Sequence, residues 1–355
     1  MQSNRVSSKH YKYTKDNVYL TDEQRDFYEE NGYIVFRNLV DWDILDECND
    51  DEAHRIQRRR KVYQERINFQ IDDFEFIEAF RLTRLQTQYV MELIGHEIQR
   101  FIDICNNSSD AAVMIVMKDT HLKTKNVKGE FVINKIQDFL YEEVFFKYVS
   151  YKPMIDIIQS IIGPNITGVN SMLINKPPDS TKDCSRHPMH QDLHYFPFRP
   201  ADSVVGTWTA METANVQNGC LFVVPGSHKG ELMKHGYPPN VTNKAFHGVL
   251  GVDDLPTVNL TMEKGDTLFL HPLLLHGSGP NVTKGFRKAI SCHYADSNCH
   301  PINLRGTSQE ELEREILEVA ARKGLGGVAL QDIWKAKSRW IRGELGNFQK
   351  MDSHL

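Results

Sequence analysis

Apolar residues change their spacing several times along this chain, and each change marks an element. Thr21-Asp22-Glu23-Gln24 has the capping-box pattern that opens a helix, Gly32 stops it, and the apolar run Tyr33 to Phe36 follows as a strand. From 42 to 104 the pattern predicts long charged helices. Within them, Arg55-Ile56-Gln57-Arg58-Arg59-Arg60-Lys61 reads as a solvated face, whereas Phe74, Phe76, Ile77, Phe80, Tyr89, Val90, Leu93 and Ile94 recur at helical spacing and predict a face that packs. Ile133 to Phe146 reads as an amphipathic helix, and Pro153 to Ile162 as a compact one with proline near its start and Gly163 at its stop.

Beyond Gly163 the helical spacing gives way to short apolar runs: Val169 to Lys176, Val204 to Met211, Cys220 to Val224, Val258 to Thr261, Thr267 to His271 and Phe286 to Tyr294. Turn signals such as Gln217-Asn218-Gly219 and Lys264-Gly265-Asp266 separate them. Strands that follow one another without intervening helices predict a mainly β chain with flanking helices and a jelly-roll (double-stranded β-helix) core, not a parallel α/β sheet. Ser308 to Gly324 and Leu330 to Glu344 return to helical spacing.

Composition narrows the picture. With 355 residues, 40% hydrophobic and 25% charged, the chain can bury one large core or two modest ones. A net charge of −5 gives no general reason to expect nucleic-acid or anionic-membrane binding, and no apolar stretch is long enough to predict a transmembrane segment. Cys48, Cys105, Cys184, Cys220, Cys292 and Cys299 form no C-x-x-C pair, so neither a zinc knuckle nor a dithiol motif is signalled, and reduced thiols are expected.

The candidate chemistry rests on a few polar residues in the β region. On a strand, residues two apart share a face, so His190 and Asp192 can reach one ion while Gln191 turns away. A second imidazole, His276, must come from a distant strand, and a closed β scaffold holds such remote residues at fixed separation. Two neutral imidazoles and one carboxylate form a three-ligand face on iron(II) that leaves positions open for oxygen and a keto acid. Arg287 opens the next strand, where its planar fork suits a carboxylate.

The runs Met172 to Ser180, Ser185-Arg186-His187-Pro188, His190 to Pro200, Glu263-Lys264-Gly265-Asp266, and His271-Pro272-Leu273 through Gly279 closely resemble the phytanoyl-CoA dioxygenase (phytanoyl-CoA 2-hydroxylase) family. The likeness continues through Gly285 to His293 and covers roughly 130 to 345 plus Leu20 to Val40. The resemblance implies an Fe(II)/2-oxoglutarate oxygenase that adds a hydroxyl at carbon 2 of a 3-methyl-branched acyl-CoA in fatty acid α-oxidation. Its cofactors would be Fe2+, 2-oxoglutarate as cosubstrate, O2 and ascorbate. The iron ligands would be His190, Asp192 and His276, with Arg287 and Ser278 on the far carboxylate of 2-oxoglutarate. Lys135, Met172 and Trp208 would line the cosubstrate pocket, and Gln191 would support the site from behind or face the substrate. An intact Asp192 favours hydroxylation over halogenation. Candidates for the coenzyme A phosphates are Lys176, Lys182, Arg186, Arg199, Lys229 and Lys234.

The resulting division is an N-terminal helix and strand (1–41), a helical insertion (42–110) longer than the family's own connection, a jelly-roll oxygenase domain (111–346) and a flexible tail (347–355). Ser353-His354-Leu355 resembles a peroxisomal address read by the import receptor. A hydroxylase of another acyl or free acid, a zinc hydrolase using the same ligands, and a catalytically silent interaction protein on this scaffold remain as alternatives.

Overall fold

Short apolar runs become two main antiparallel sheets in the computed structural model, which describes residues 10–50, 115–118, 133–178, 185–237, 247–322 and 327–349. The packing face predicted between Phe74 and Ile94, Lys182, Cys105, Cys184 and the Ser353-His354-Leu355 address lie outside the described residues.

In chain order, the strands of the two main sheets are β1 (Tyr33–Phe36), β2 (Ile115–Lys118), β3 (Ile133–Gln137), β4 (Ile166–Lys176), β5 (His187–His190), β6 (Val204–Ala210), β7 (Leu221–Val223), β8 (Val258–Leu260), β9 (Thr267–Leu270), β10 (His276–Ser278), β11 (Arg287–Asp296) and β12 (Arg339–Arg342). The major sheet runs β1-β9-β6-β11-β4-β3-β2, with β12 also pairing β4, and the minor sheet runs β8-β7-β10-β5. Sequence neighbours are rarely sheet neighbours, as a jelly roll requires. The helices are α1 (Asp22–Asn31), α2 (42–50), α3 (Glu143–Val149), α4 (Lys152–Ile162), α5 (Glu310–Arg322) and α6 (Leu330–Lys337). Among the described residues, none is long and apolar enough to cross a membrane.

Both faces of the major sheet are covered, so its central strands are buried on both sides; every residue of β6 is buried. Leu173, Val205, Phe269, Ile290, Cys292 and Tyr294 point outward to Tyr28, Phe145, Tyr148, Ile158 and Ile161 of the helices. Trp208, Leu268, Leu270 and Ala289 point inward, where they meet Leu221, Val223 and Leu260 of the minor sheet. The functional cavity opens within this inner layer.

Two predicted helices take a different form. Ile133 to Phe146 is not one helix but strand β3 followed by α3, with Asp138 between them at φ 62. A left-handed residue there ends any continuous helix. Leu330 to Glu344 is helical only to Lys337, after which β12 pairs with the Ile166–Gly168 end of β4. An available sheet edge overrides the local helical spacing.

The N-terminal segment closes onto the core through histidines. Thr21 and Gln24 complete the predicted capping box, and α1 ends at Gly32, whose φ of 78 is left-handed. A Cβ at Gly32 would fall 2.4 Å from His228 Nδ1, so only glycine lets the two meet. His228 Nε2 donates to the Glu29 carbonyl at 3.2 Å, and its ring lies 4.8 Å from Tyr13 and 5.4 Å from His271, centroid to centroid. Burial, reinforced by the neighbouring His271, pushes the His228 imidazole down to about 4. The native state therefore keeps the ring neutral while the unfolded chain protonates it near pH 6.5, so this contribution to stability is complete above about pH 6.5 and lost as pH falls toward 4. Denaturation midpoints measured from pH 7 to 4 should decline across that window, and His228→Gln, which cannot protonate, should decline less steeply.

Candidate metal centre and carboxylate pocket

The minor sheet brings two distant imidazoles together by register. His276 on β10 is the direct antiparallel partner of His190 on β5, and their ring centroids are 4.2 Å apart. β5 ends at His190, Gln191 continues extended at φ −117 and ψ 125, and Asp192 opens a short 3-10 turn rather than extending the strand. The extended Gln191 preserves the alternation long enough to return Asp192 to the same side. Asp192 Oδ1 then lies 3.3 Å from His190 Nε2 and 3.6 Å from His276 Nε2. All three donor atoms fall within 4.8 Å of one another, near enough for small side-chain adjustments to bring them onto a single ion.

Backbone carbonyls fix which nitrogen faces that point. His190 Nδ1 is 2.9 Å from the Pro188 carbonyl and His276 Nδ1 is 3.0 Å from that of Leu274. A carbonyl can only accept, so each Nδ1 carries the proton and each Nε2 presents a lone pair. Burial pushes the His276 imidazole down to about 4, keeping it neutral at physiological pH. Burial alone would raise the Asp192 carboxyl, but the neighbouring His276 and His293, with the hydrogen bond from His293, hold it well below the usual carboxylate range. The donor set is thus two imidazoles, each with Nδ1 turned to a carbonyl and Nε2 toward the shared point, and one carboxylate, matching the two-histidine, one-carboxylate sites of non-haem iron(II).

His293, which the sequence analysis did not single out, holds the other carboxylate oxygen. Its Nε2 donates to Asp192 Oδ2 at 2.9 Å, leaving that oxygen occupied and Oδ1 facing the imidazoles. Strand parity could have found it: Arg287, Ser291 and His293 alternate along β11 and all line the cavity. His187, stacked on His190 at 4.1 Å between ring centroids, also lines the cavity and was likewise missed.

At the other end of the cavity stands Arg287, only 1% exposed and 5.2 Å from the centre of the Trp208 ring. Its Nη2 donates to the Gly219 carbonyl at 3.0 Å, while Nε and Nη1 have no partner among the described residues. Burial lowers the guanidinium to about 10, where it remains charged at neutral pH. A buried cation with two unsatisfied donors fits a carboxylate. Ser278 lies on β10 two residues from His276 and lines the same cavity.

Met172 and Trp208 also line the cavity, both as register partners of Ser291. Lys135 is on β3, opposite Ile174 of β4, not on a solvated helix. Burial pushes its ammonium down to about 8, although nearby Asp138 opposes the shift. Gln191 does not line the cavity. Its side chain donates to the carbonyls of Glu231 (3.1 Å) and Leu273 (2.9 Å) and accepts from the Met233 amide (2.8 Å), tying the 231–235 loop to the segment before His276.

The coenzyme A candidates do not form one cluster. Lys176 is buried in the cavity wall, Arg199 bonds Gln309, Arg186 pairs with Asp253 and Lys229 with Glu30.

Residues 28–289 match the profile of the phytanoyl-CoA dioxygenase (PhyH) family. The peroxisomal phytanoyl-CoA dioxygenase of Bos taurus is 43% identical over 340 residues, covering 94% of this chain and 86% of the relative. That of Homo sapiens is 42% identical over 345 residues, covering 95% and 87%. A probable phytanoyl-CoA dioxygenase of Caenorhabditis elegans is 42% identical over 352 residues, covering 94% of this chain and 97% of the relative.

Proposed function

Since the chain belongs to the phytanoyl-CoA dioxygenase family, we propose that it is an Fe(II)- and 2-oxoglutarate-dependent dioxygenase that hydroxylates carbon 2 of phytanoyl-CoA and related 3-methyl-branched acyl-CoAs. This reaction opens α-oxidation for acids whose 3-methyl branch blocks β-oxidation. His190, Asp192 and His276 would hold the iron, and Arg287 with Ser278 would hold the distal carboxylate of 2-oxoglutarate. The observation that carries this reading is the presence in one cavity of three converging donor atoms and a buried guanidinium with two nitrogens unpartnered among the described residues.

When bound, iron supplies the oxidative decarboxylation of 2-oxoglutarate to succinate and carbon dioxide, coupled to insertion of one oxygen atom from O2 into a C–H bond. The chain's residues set the conditions. Backbone-fixed imidazole tautomers keep the two Nε2 lone pairs available, and His293 orients the Asp192 carboxylate. Met172, Trp208 and Leu270 keep the keto acid's surroundings apolar, which strengthens its charge-assisted contacts with Arg287. Lys135 adds a cation toward the Asp192 side of the cavity.

The protein is peroxisomal, as its named mammalian relatives are. The address is proposed to be Ser353-His354-Leu355, read by the import receptor, because a terminal Ser-x-Leu triplet resembles the known signal.

The experiment is a panel of straight-chain and 3-methyl-branched acyl-CoAs supplied with Fe(II), 2-oxoglutarate and oxygen, with products identified by mass spectrometry. A 2-hydroxy product from the branched substrates, with succinate in equal amount, is expected. Hydrolysis to free acid without oxygen consumption would instead identify a metal hydrolase.

Gly219 offers an independent check on the carboxylate end. It has φ 81, its carbonyl accepts from Arg287, and a Cβ there would lie 2.5 Å from the Gly279 carbonyl oxygen and 2.9 Å from Lys176 Cδ. Gly219→Ala cannot keep this backbone without a clash, so we expect it to lower the melting temperature and raise the 2-oxoglutarate requirement, with a strain cost of about 1–3 kcal/mol. Unchanged 2-oxoglutarate dependence would separate Gly219 from the pocket.

A further inference from the structure

A buried lysine lines the carboxylate end of the cavity with no part in the function described so far. Lys176 closes β4 as the register partner of Arg287 and is 5% exposed. A buried ammonium is costly unless its donors are used. Its Nζ lies 2.7 Å from the Ser185 carbonyl, 2.6 Å from that of Gly279 and 2.7 Å from Ser278 Oγ.

The third contact sets a direction. An ammonium can only donate, so Ser278 Oγ accepts, and the hydroxyl's single proton must go to something other than Lys176. Among the described residues no acceptor takes it. Ser278 is itself buried and shares its cavity with the two unpartnered nitrogens of Arg287. Donors from β10 and β11 therefore converge on one anion-sized place, and the lysine bonded to the hydroxyl in the same cavity wall orients and polarises it.

We propose that Lys176 is a positioning residue for the cosubstrate: by donating to Ser278 Oγ it turns that hydroxyl into a dedicated donor to the distal carboxylate of 2-oxoglutarate. The inference rests on the assignment of this cavity to 2-oxoglutarate. It gives a lysine that donates to two carbonyls and a serine a use at this depth, and it predicts a preference for a keto acid with a second carboxylate. A purely structural lysine would tie the Ser185 and Gly279 segments together without affecting that preference.

The test is anaerobic calorimetry on the iron-loaded full chain, titrating 2-oxoglutarate and, separately, 2-oxobutyrate, which lacks the distal carboxylate. Lys176→Met should weaken 2-oxoglutarate about tenfold, the lower end for a hydrogen bond to a charged group, while 2-oxobutyrate changes by less than about twofold. Ser278→Ala should do the same, and the double variant should be little worse than either single one, because both changes remove one interaction. Lys176→Gln keeps a donor for the carbonyls without the charge and carries the same comparison if the methionine variant does not fold. Equal losses for both keto acids, or a lower melting temperature with unchanged binding, would make Lys176 a structural tie and overturn the proposal. Losses that multiply to about a hundredfold in the double variant would overturn its action through Ser278. Failure of the unsubstituted protein to bind 2-oxoglutarate would instead remove the cosubstrate assignment itself, and this inference with it.

Discussion

Asp192→Ala abolishes hydroxylation and the coupled formation of succinate. The substitution removes the only carboxylate of the three-donor set and leaves His190, His276 and His293 facing a gap. Loss of the metal forfeits several kcal/mol of transition-state stabilisation, which is about a thousandfold or more in rate. The loss should be chemical rather than structural, since the inner and outer apolar layers that hold the fold do not include Asp192. The check is parallel measurement of iron content, succinate yield and thermal unfolding. A variant that binds iron poorly, makes no succinate and melts near the unsubstituted protein is expected. Full activity in the alanine variant would remove Asp192 from the ligand set.

Arg287→Ala affects the cosubstrate rather than the metal. The guanidinium offers Nε and Nη1 to a carboxylate inside an apolar enclosure, and each hydrogen bond to a charged group contributes about 1.5–3 kcal/mol. Loss of one such contact raises the dissociation constant about tenfold, and loss of both about a hundredfold or more. Iron affinity should stay close to normal, because Arg287 lies at the end of the cavity away from the three donors. Oxygen uptake as a function of 2-oxoglutarate concentration reads the effect directly. An unchanged half-saturating concentration would exclude Arg287 as the anchor.

The parts legible in the sequence were those governed by short-range rules. The capping box at Thr21 and the stop at Gly32 depend on neighbouring residues only, and both form as read. The β runs from Val169 to Tyr294 were visible as short apolar runs, as strands covered on both faces require, with turns such as Gln217-Asn218-Gly219 between them. His190 and Asp192 stood out because their spacing places both on one side of an extended segment. Their coming together with His276 depends on the pairing of β5 with β10, which local spacing does not contain.

The same limit explains the readings that failed. Ile133 to Phe146 has helical periodicity when taken as one stretch, but Asp138 divides it, and pairing with β4 makes the first half a strand. Arg339 to Arg342 became a strand because the end of β4 was open to pair with it. Lys176 read as a surface cation for coenzyme A because lysines are mostly exposed; its burial follows from β4 lying between β3 and β11. His293 was hidden for a related reason: its partner, Asp192, lies on another element, and only counting alternate residues from Arg287 along β11 would have placed it in the cavity.

The most direct measurement is an anaerobic titration of iron(II) into the apoprotein, followed by 2-oxoglutarate, reading metal stoichiometry and the visible absorption that a keto acid chelated to iron(II) produces. One iron per chain is predicted, with the absorption developing only after 2-oxoglutarate is added, and both signals lost in His190→Ala, Asp192→Ala and His276→Ala. Stoichiometric iron and the same absorption in all three variants would contradict the account.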